Sequence, residues 1–190
     1  MADLDWTSRI AELVFVKRSL VEADRNGLWP HHLPGLAATD AELLAAEARI
    51  GEALNSLHRA FLAAAGGWRG FFQAVDLFGP SDFLAGERWA RGVRLLEDID
   101  AAILEDIGFQ RAQLLPIAAS SGEIDLFVIG RQASRCPGVV VWLAGDEVER
   151  FASFDEYFAA MVDYNRREVL KMTELRDAPA GTERRPRLRH

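Results

Sequence analysis

A single cysteine, Cys136, stands in the 190 residues, so no internal disulfide forms and a reducing cytoplasm is the expected setting. No run of about 18 apolar residues occurs, which excludes a membrane-spanning helix and removes membrane insertion from the expected roles. The opening MADLDWTSRIAELVFVKRSL is acidic and amphipathic, without a basic start or a small-residue cleavage site, so no signal peptide is expected. Internal repeats are missing. So are the signatures of common chemistry: there is no GxSxG, and Gly66-Gly67-Trp68-Arg69-Gly70 leads into a strand without the Lys-Ser/Thr of a phosphate loop.

Histidine is scarce too, at four residues. His31 and His32 are adjacent and diverge on any regular element, with no third ligand at helical spacing, so no metal is expected. His58 falls on the polar side of its helix beside Arg59. Cys136 precedes Pro137 in a loop and reads as a packed thiol rather than a nucleophile. Glu123 and Asp125 alternate onto one strand face, where two carboxylates would hold a cation or serve a hydrolase as acid and base. Charged residues flanking a turn are the simpler account of that pair. The expectation is no enzyme and no cofactor.

What is present fits a globular chain: 49% hydrophobic and 27% charged residues, and a length suited to one domain. The net charge is −7. From Ala178 onward four arginines and Glu183 give +3, so the remainder carries −10. An acidic body argues against nucleic acid and for a basic partner.

The stretch from Leu33 to Trp68 organises the rest. Thr39-Asp40-Ala41-Glu42 is a capping box that opens a helix through Leu43, Leu44, Glu47 and Ile50, and Gly51 stops it. Leu54, Leu57, Phe61 and Ala64 make a second helical face, closed by Gly66-Gly67-Trp68. Ahead of this lie a helix over Trp6 to Val21, with Ile10, Leu13, Val14 and Lys17 at helical spacing, and a proline-rich connection from Leu28 to Gly35. After it, Phe71 to Phe78 reads as one strand, apolar on both faces and therefore central. Ser81 to Val93 reads as irregular, and Leu95 to Ile107 as a helix ended by Gly108. Its outer face is acidic (Glu97, Asp98, Asp100, Glu105, Asp106), which an exposed, solvated face explains and a binding surface would also use. Leu114 to Ala118 is a short strand in which Pro116 points to an edge or to irregular pairing. Ile124 to Ile129, Val139 to Leu143 and Val148 to Ala152 continue an antiparallel meander, with a hairpin at Ala144-Gly145-Asp146-Glu147. Ser153-Phe154-Asp155-Glu156 opens a last helix striped with Phe154, Tyr157, Phe158, Met161, Val162 and Val169.

Three patches, in order, resemble the SUKH superfamily of cell-wall-assembly regulators and bacterial toxin-immunity proteins. The first runs from Gly35 through the capped helix, Glu47, Gly51, Leu54 and Arg59-Ala60-Phe61-Leu62 to Gly67-Trp68. The second is Leu115-Pro116-Ile117-Ala118 with Gly122, Asp125 and Phe127-Val128-Ile129. The third is Phe151-Ala152-Ser153-Phe154-Asp155-Glu156-Tyr157-Phe158. Departures are Asn55 in place of proline, Gly66 in place of asparagine, and Ile124 inserted before Asp125.

The resemblance implies an α+β fold, a single twisted and mainly antiparallel sheet with helices around it. With the helical pattern ahead of it and the arginine-rich composition after it, the matching stretch divides the chain into three expected segments: a helical extension and linker (1–32), the domain (33–175) and a basic disordered tail (176–190). The resemblance further implies a cytoplasmic protein that binds another protein, such as a basic nuclease toxin, or a regulatory or scaffold protein of the same fold. Gly35, Gly51, Phe61, Gly67, Trp68, Pro116, Gly122 and Asp125 match family positions and read as fold determinants. For the partner surface the acids Asp82, Glu87, Glu97, Asp98, Glu105 and Asp106 are the expected candidates.

Overall fold

A computed structural model describes residues 5–177; the arginine-rich segment, from Ala178 on, lies outside the described residues. Seven helices surround one six-stranded antiparallel sheet whose strands lie side by side in chain order. The strands are β1 (Trp68–Phe72), β2 (Val75–Leu77), β3 (Leu114–Ser120), β4 (Leu126–Gly130), β5 (Val140–Leu143) and β6 (Glu147–Phe151). The helices are α1 (Trp6–Ala23), α2 (Asp40–Ile50), α3 (Ser56–Ala64), α4 (Pro80–Ala85), α5 (Glu87–Asp98), α6 (Ala101–Asp106) and α7 (Phe154–Asp177). The α+β class and the meander expected from the sequence are both present. No helix among the described residues is long and apolar enough to cross a membrane.

Local chemistry sets the element ends. The Thr39 hydroxyl accepts from the Glu42 amide while the Glu42 carboxylate accepts from the Thr39 amide, and Gly51 closes α2 at φ +81°. Asn55, in the proline position of the family pattern, caps α3 by accepting from the amides of Leu57 and His58. Arg59 then ties α3 to α2 through Asp40 and Glu47. At the start of α7 the Ser153 hydroxyl accepts from the Glu156 amide, and the Glu156 carboxylate accepts from Ala152.

Several expectations are corrected. Phe71 to Phe78 is not one central strand but a hairpin, turning at Gln73-Ala74 with Gln73 at φ +49°, and it places β1 at the sheet edge. An unbroken apolar run concealed the turn. Pro116, expected on an edge strand or in irregular pairing, lies in the fully buried interior strand β3, and its pairing is irregular. It is tolerated because β2 pairs only with Ala118 to Ser120, and the β3–β4 register shifts just past the proline. The segment read as irregular forms α4 and most of α5. Its glycines are there for close packing: a Cβ at Gly92 would touch the Phe78 ring and Pro116 at 3.1 Å. Leu95 to Ile107 breaks into two helices, because the Asp100 carboxylate caps Ala102.

The core joins the sheet to α7. Phe71, Phe127 and Phe151 from the sheet all meet Tyr157, with ring centroids 5.2–5.9 Å apart. Trp6 of α1 packs within 5.3–5.8 Å of Phe61, Phe154 and Phe158, so α1 closes the aromatic cluster formed by α3 and α7. His58 is the largest surprise in this core. Expected on a polar face, it is fully buried and stacks on Phe154 at 4.7 Å.

Four glycines fix how the loops meet the sheet. The Gly35 amide donates to the Gly67 carbonyl and the Gly66 amide to Leu36. A Cβ on Gly66 would stand 2.4 Å from the Leu36 oxygen, and one on Gly79 would stand 2.1 Å from the Gly66 oxygen. Three backbone segments touch here with hydrogen atoms between them.

Candidate functional site

The acids proposed for partner binding divide in two. Glu97 and Asp98 end α5, Glu105 and Asp106 end α6, and all four are exposed, as is Glu87. None of the five forms an ion pair within the described residues. Asp82 does not belong with them. It is 4% exposed, its carboxylate accepts from the Gly79 amide at 2.8 Å, and it receives a two-point contact from Arg88 at 2.8–2.9 Å. Asp82 therefore builds the start of α4 and has no free oxygen to offer a partner.

The family positions are unequal too. Gly51, Phe61, Gly67 and Trp68 are fold determinants, and the buried Trp68 indole donates to the His32 carbonyl at 2.8 Å. Asp125 accepts from the Trp142 indole at 2.8 Å, while Glu123 is exposed just ahead of β4, so the two carboxylates do not share a strand face. Gly122 is corrected: it has no atom within 4 Å of a Cβ and no left-handed φ, so the fold does not require a glycine there. His31 is engaged by Asp24, with 2.9 Å between Nε2 and Oδ2, and His32 is exposed. Among the described residues no three His, Cys, Asp or Glu side chains gather as a metal site.

Basic residues make the concave features. A cavity of about 460 Å³ lies between α5 and the β2–β3 region, lined by Arg88, Arg91, Arg94, Asp76, Glu87 and Ser120. A second, of about 230 Å³, is lined by Arg88, Arg69, Trp68, His32 and Leu33. A third, of about 330 Å³, shares His32, Leu33 and Trp68 with it and is walled by Val14, Val21 and Lys17 of α1. Arg88 lines both the first and the second, and His32, Leu33 and Trp68 line both the second and the third, so the three lie next to one another in a row, termed the furrow. Arg91 is fixed by donating to the Ser120 and Glu123 carbonyls at 2.6 and 2.7 Å. Reading the sequence missed this surface because its cations come from α1, β1 and α5; the only local sign was Arg88, Arg91 and Arg94 at steps of three.

Lys17 is the most unusual of these groups. Only 4% exposed, it donates to the Gly70 carbonyl, and burial lowers its amine from the usual 10.5 to about 8. Between those values the unfolded chain holds a proton that the folded chain gives up, so stability rises with pH through that window. Lys17→Met removes both the titration and the donor to Gly70. Expected is little net change near pH 7 and loss of a stability gain of about 2 kcal/mol between pH 7.5 and 9.5. Urea midpoints of both proteins across that range check it; parallel curves would assign Lys17 no part in the pH dependence.

The architecture defines a class before any comparison: a meander sheet with a glycine-locked hairpin at one edge and a capped helix pair leading into it. The chain belongs to the SMI1 / KNR4 family (SUKH-1), whose family model matches residues 37–160. No curated protein matches the chain in sequence.

Proposed function

We propose that the chain is a non-enzymatic protein-binding domain that acts as an immunity protein, neutralising a cognate toxin whose basic surface meets the acids of α5 and α6. A nuclease is the toxin class that the family resemblance suggests, and the cytoplasm is where neutralisation takes place. The observation that supports this reading is the placement of Glu97, Asp98, Glu105 and Asp106. Each pair occupies the last turn of its helix, where the partial negative charge of the carbonyl ends disfavours carboxylates. Fold stability alone would favour cations at those positions. Exposed acids that work against their own helices are accounted for by a partner of opposite charge, which they steer into contact.

The test begins with capture of partners from the native lysate at low and moderate salt, identified by mass spectrometry. The expected result is a basic protein that arrests growth when expressed alone and ceases to do so when this chain is co-expressed. Glu97→Lys with Asp98→Lys should slow association about tenfold and flatten its salt dependence, while leaving thermal stability equal or higher. Recovery of cell-envelope or regulatory proteins, with no growth arrest to relieve, would overturn the immunity reading in favour of a regulator of the same fold.

A further inference from the structure

The furrow described above is basic within a body of net negative charge. Along it, Lys17, Arg69, Arg91 and Arg94 have no carboxylate partner within the described residues, whereas Arg88 is neutralised by Asp82 and Asp76 and Arg18 pairs with Glu22. Glu87 is the one lining acid without such a pairing among the described residues. Three arginines thus face one unpaired carboxylate along the furrow, with the Lys17 amine buried beside it on the Gly70 carbonyl.

The available charges are distributed: Arg91 and Arg94 line the first cavity and Arg69 the second, while the third is mainly apolar. A single small anion would reach one of these positions only. Engaging them together requires a ligand that extends through the first two cavities and carries several negative groups. The last cavity adds a second requirement. Its walls include Val14, Val21 and Leu33, and Leu33 stands 75% exposed at the junction of two cavities. An apolar side chain placed there would cover it. A nucleic acid strand fits the furrow poorly, because its tryptophan, Trp68, is 1% exposed and offers no face for base stacking, and the apolar end has nothing to match in a phosphate backbone.

We infer that the furrow binds an extended acidic segment of a protein partner, with its carboxylates on Arg69, Arg91 and Arg94 and a following large apolar side chain against Val21 and Leu33. Arg91 is the best-organised of these groups, since two carbonyls already hold its guanidinium in place and little rotamer freedom remains to be lost. The inference rests on the protein-binding reading and assigns the partner a second feature, a short acidic stretch, recognised by residues separate from the α5–α6 acids.

Fluorescence anisotropy tests it with a labelled octapeptide of four glutamates followed by a leucine-containing end. A glutamine version and an octamer of single-stranded thymidylate serve as competitors. Arg69 and Arg94 are exposed, and neither makes a side-chain hydrogen bond or ion pair within the described residues, so Arg69→Glu and Arg94→Glu preserve the fold, which circular dichroism melts verify. The expected result is salt-sensitive binding of the acidic peptide, weakened about threefold or more by each reversal and about tenfold by both. No binding at low salt, equal binding of the glutamine version, tighter binding of the oligonucleotide, or affinity unchanged in the double reversal would each overturn the inference. A partner captured from lysate equally well by the double reversal would sink the furrow while leaving the protein-binding reading intact.

Discussion

Gly67→Ala is expected to lower the unfolding free energy by about 3–5 kcal/mol, enough to leave little folded protein at 37 °C. Two costs combine. Gly67 sits at φ +91°, where an alanine is strained by roughly 1–2 kcal/mol. Its Cβ would also lie 2.6 Å from the Gly79 nitrogen and 2.9 Å from both the Gly79 Cα and the Leu77 oxygen. Those are backbone atoms, at a point where the loop before β1 crosses the end of β2, and no side chain is available to swing aside. Three substitutions separate the costs. Gly51→Ala meets the strain alone, since φ is +81° and no atom lies within 4 Å of the new carbon, so about 1 kcal/mol is expected. Gly122→Ala meets neither cost and should fall within about 0.5 kcal/mol of the parent. Urea denaturation of the three variants should give that order. Equal effects at Gly51 and Gly67 would mean that the backbone crossing relaxes freely.

Acid is expected to destabilise the protein through His58 well before the bulk of its surface acids are protonated. The imidazole is fully buried between Phe154 and Phe83, with no hydrogen-bond partner for either nitrogen among the described residues. Burial lowers its pKa from 6.5 to about 3. The unfolded chain therefore takes up a proton below pH 6.5 that the folded chain refuses. Stability is fully present above 6.5 and falls as pH drops toward 3, by on the order of 5 kcal/mol over the whole range. At pH 4 the loss from this residue is about 3 kcal/mol. His58→Leu keeps the shape roughly and removes the proton site. It should match or exceed the parent at pH 7, because two unpaired nitrogens leave the core, and it should lose far less on acidification. Carboxylates titrate in both proteins, so the difference between the two curves reports His58 itself. Parallel curves would mean that water reaches the ring.

The parts of the fold that were legible in the sequence are those written in local chemistry. Thr39 with Glu42, Gly51 and Ser153 each announce a helix end through local chemistry, and the short apolar runs joined by short links from Leu126 to Phe151 announce a meander. What was hidden depends on atoms far away in the chain. His58 looks polar on its own helix, and Phe83 of α4 and Phe154 of α7, the latter nearly a hundred positions later, bury it. Pro116 looks like an edge marker because the shortness of β2 is not visible from β3. Asp82 looks like a surface acid until Arg88 folds over it. The surfaces divide the same way: the acids of α5 and α6 lie on one continuous stretch and read from the sequence as an exposed acidic face, whereas the furrow draws its basic residues from three separate elements and left no such local mark.

The contact of Trp6 with Phe154 and Phe158 also has a temporal side. During synthesis the sheet can add its strands one at a time, because each pairs with the strand just made. Helix α1 can meet α3 early, through Trp6 and Phe61, but its main partner is α7, which leaves the ribosome about 150 residues later. Until then Trp6, Phe61 and Phe71 lack the α7 side of their packing, and the nascent chain presents apolar surface to chaperones and proteases. The first helix and the last are made at opposite ends of translation, and the native state begins when they meet.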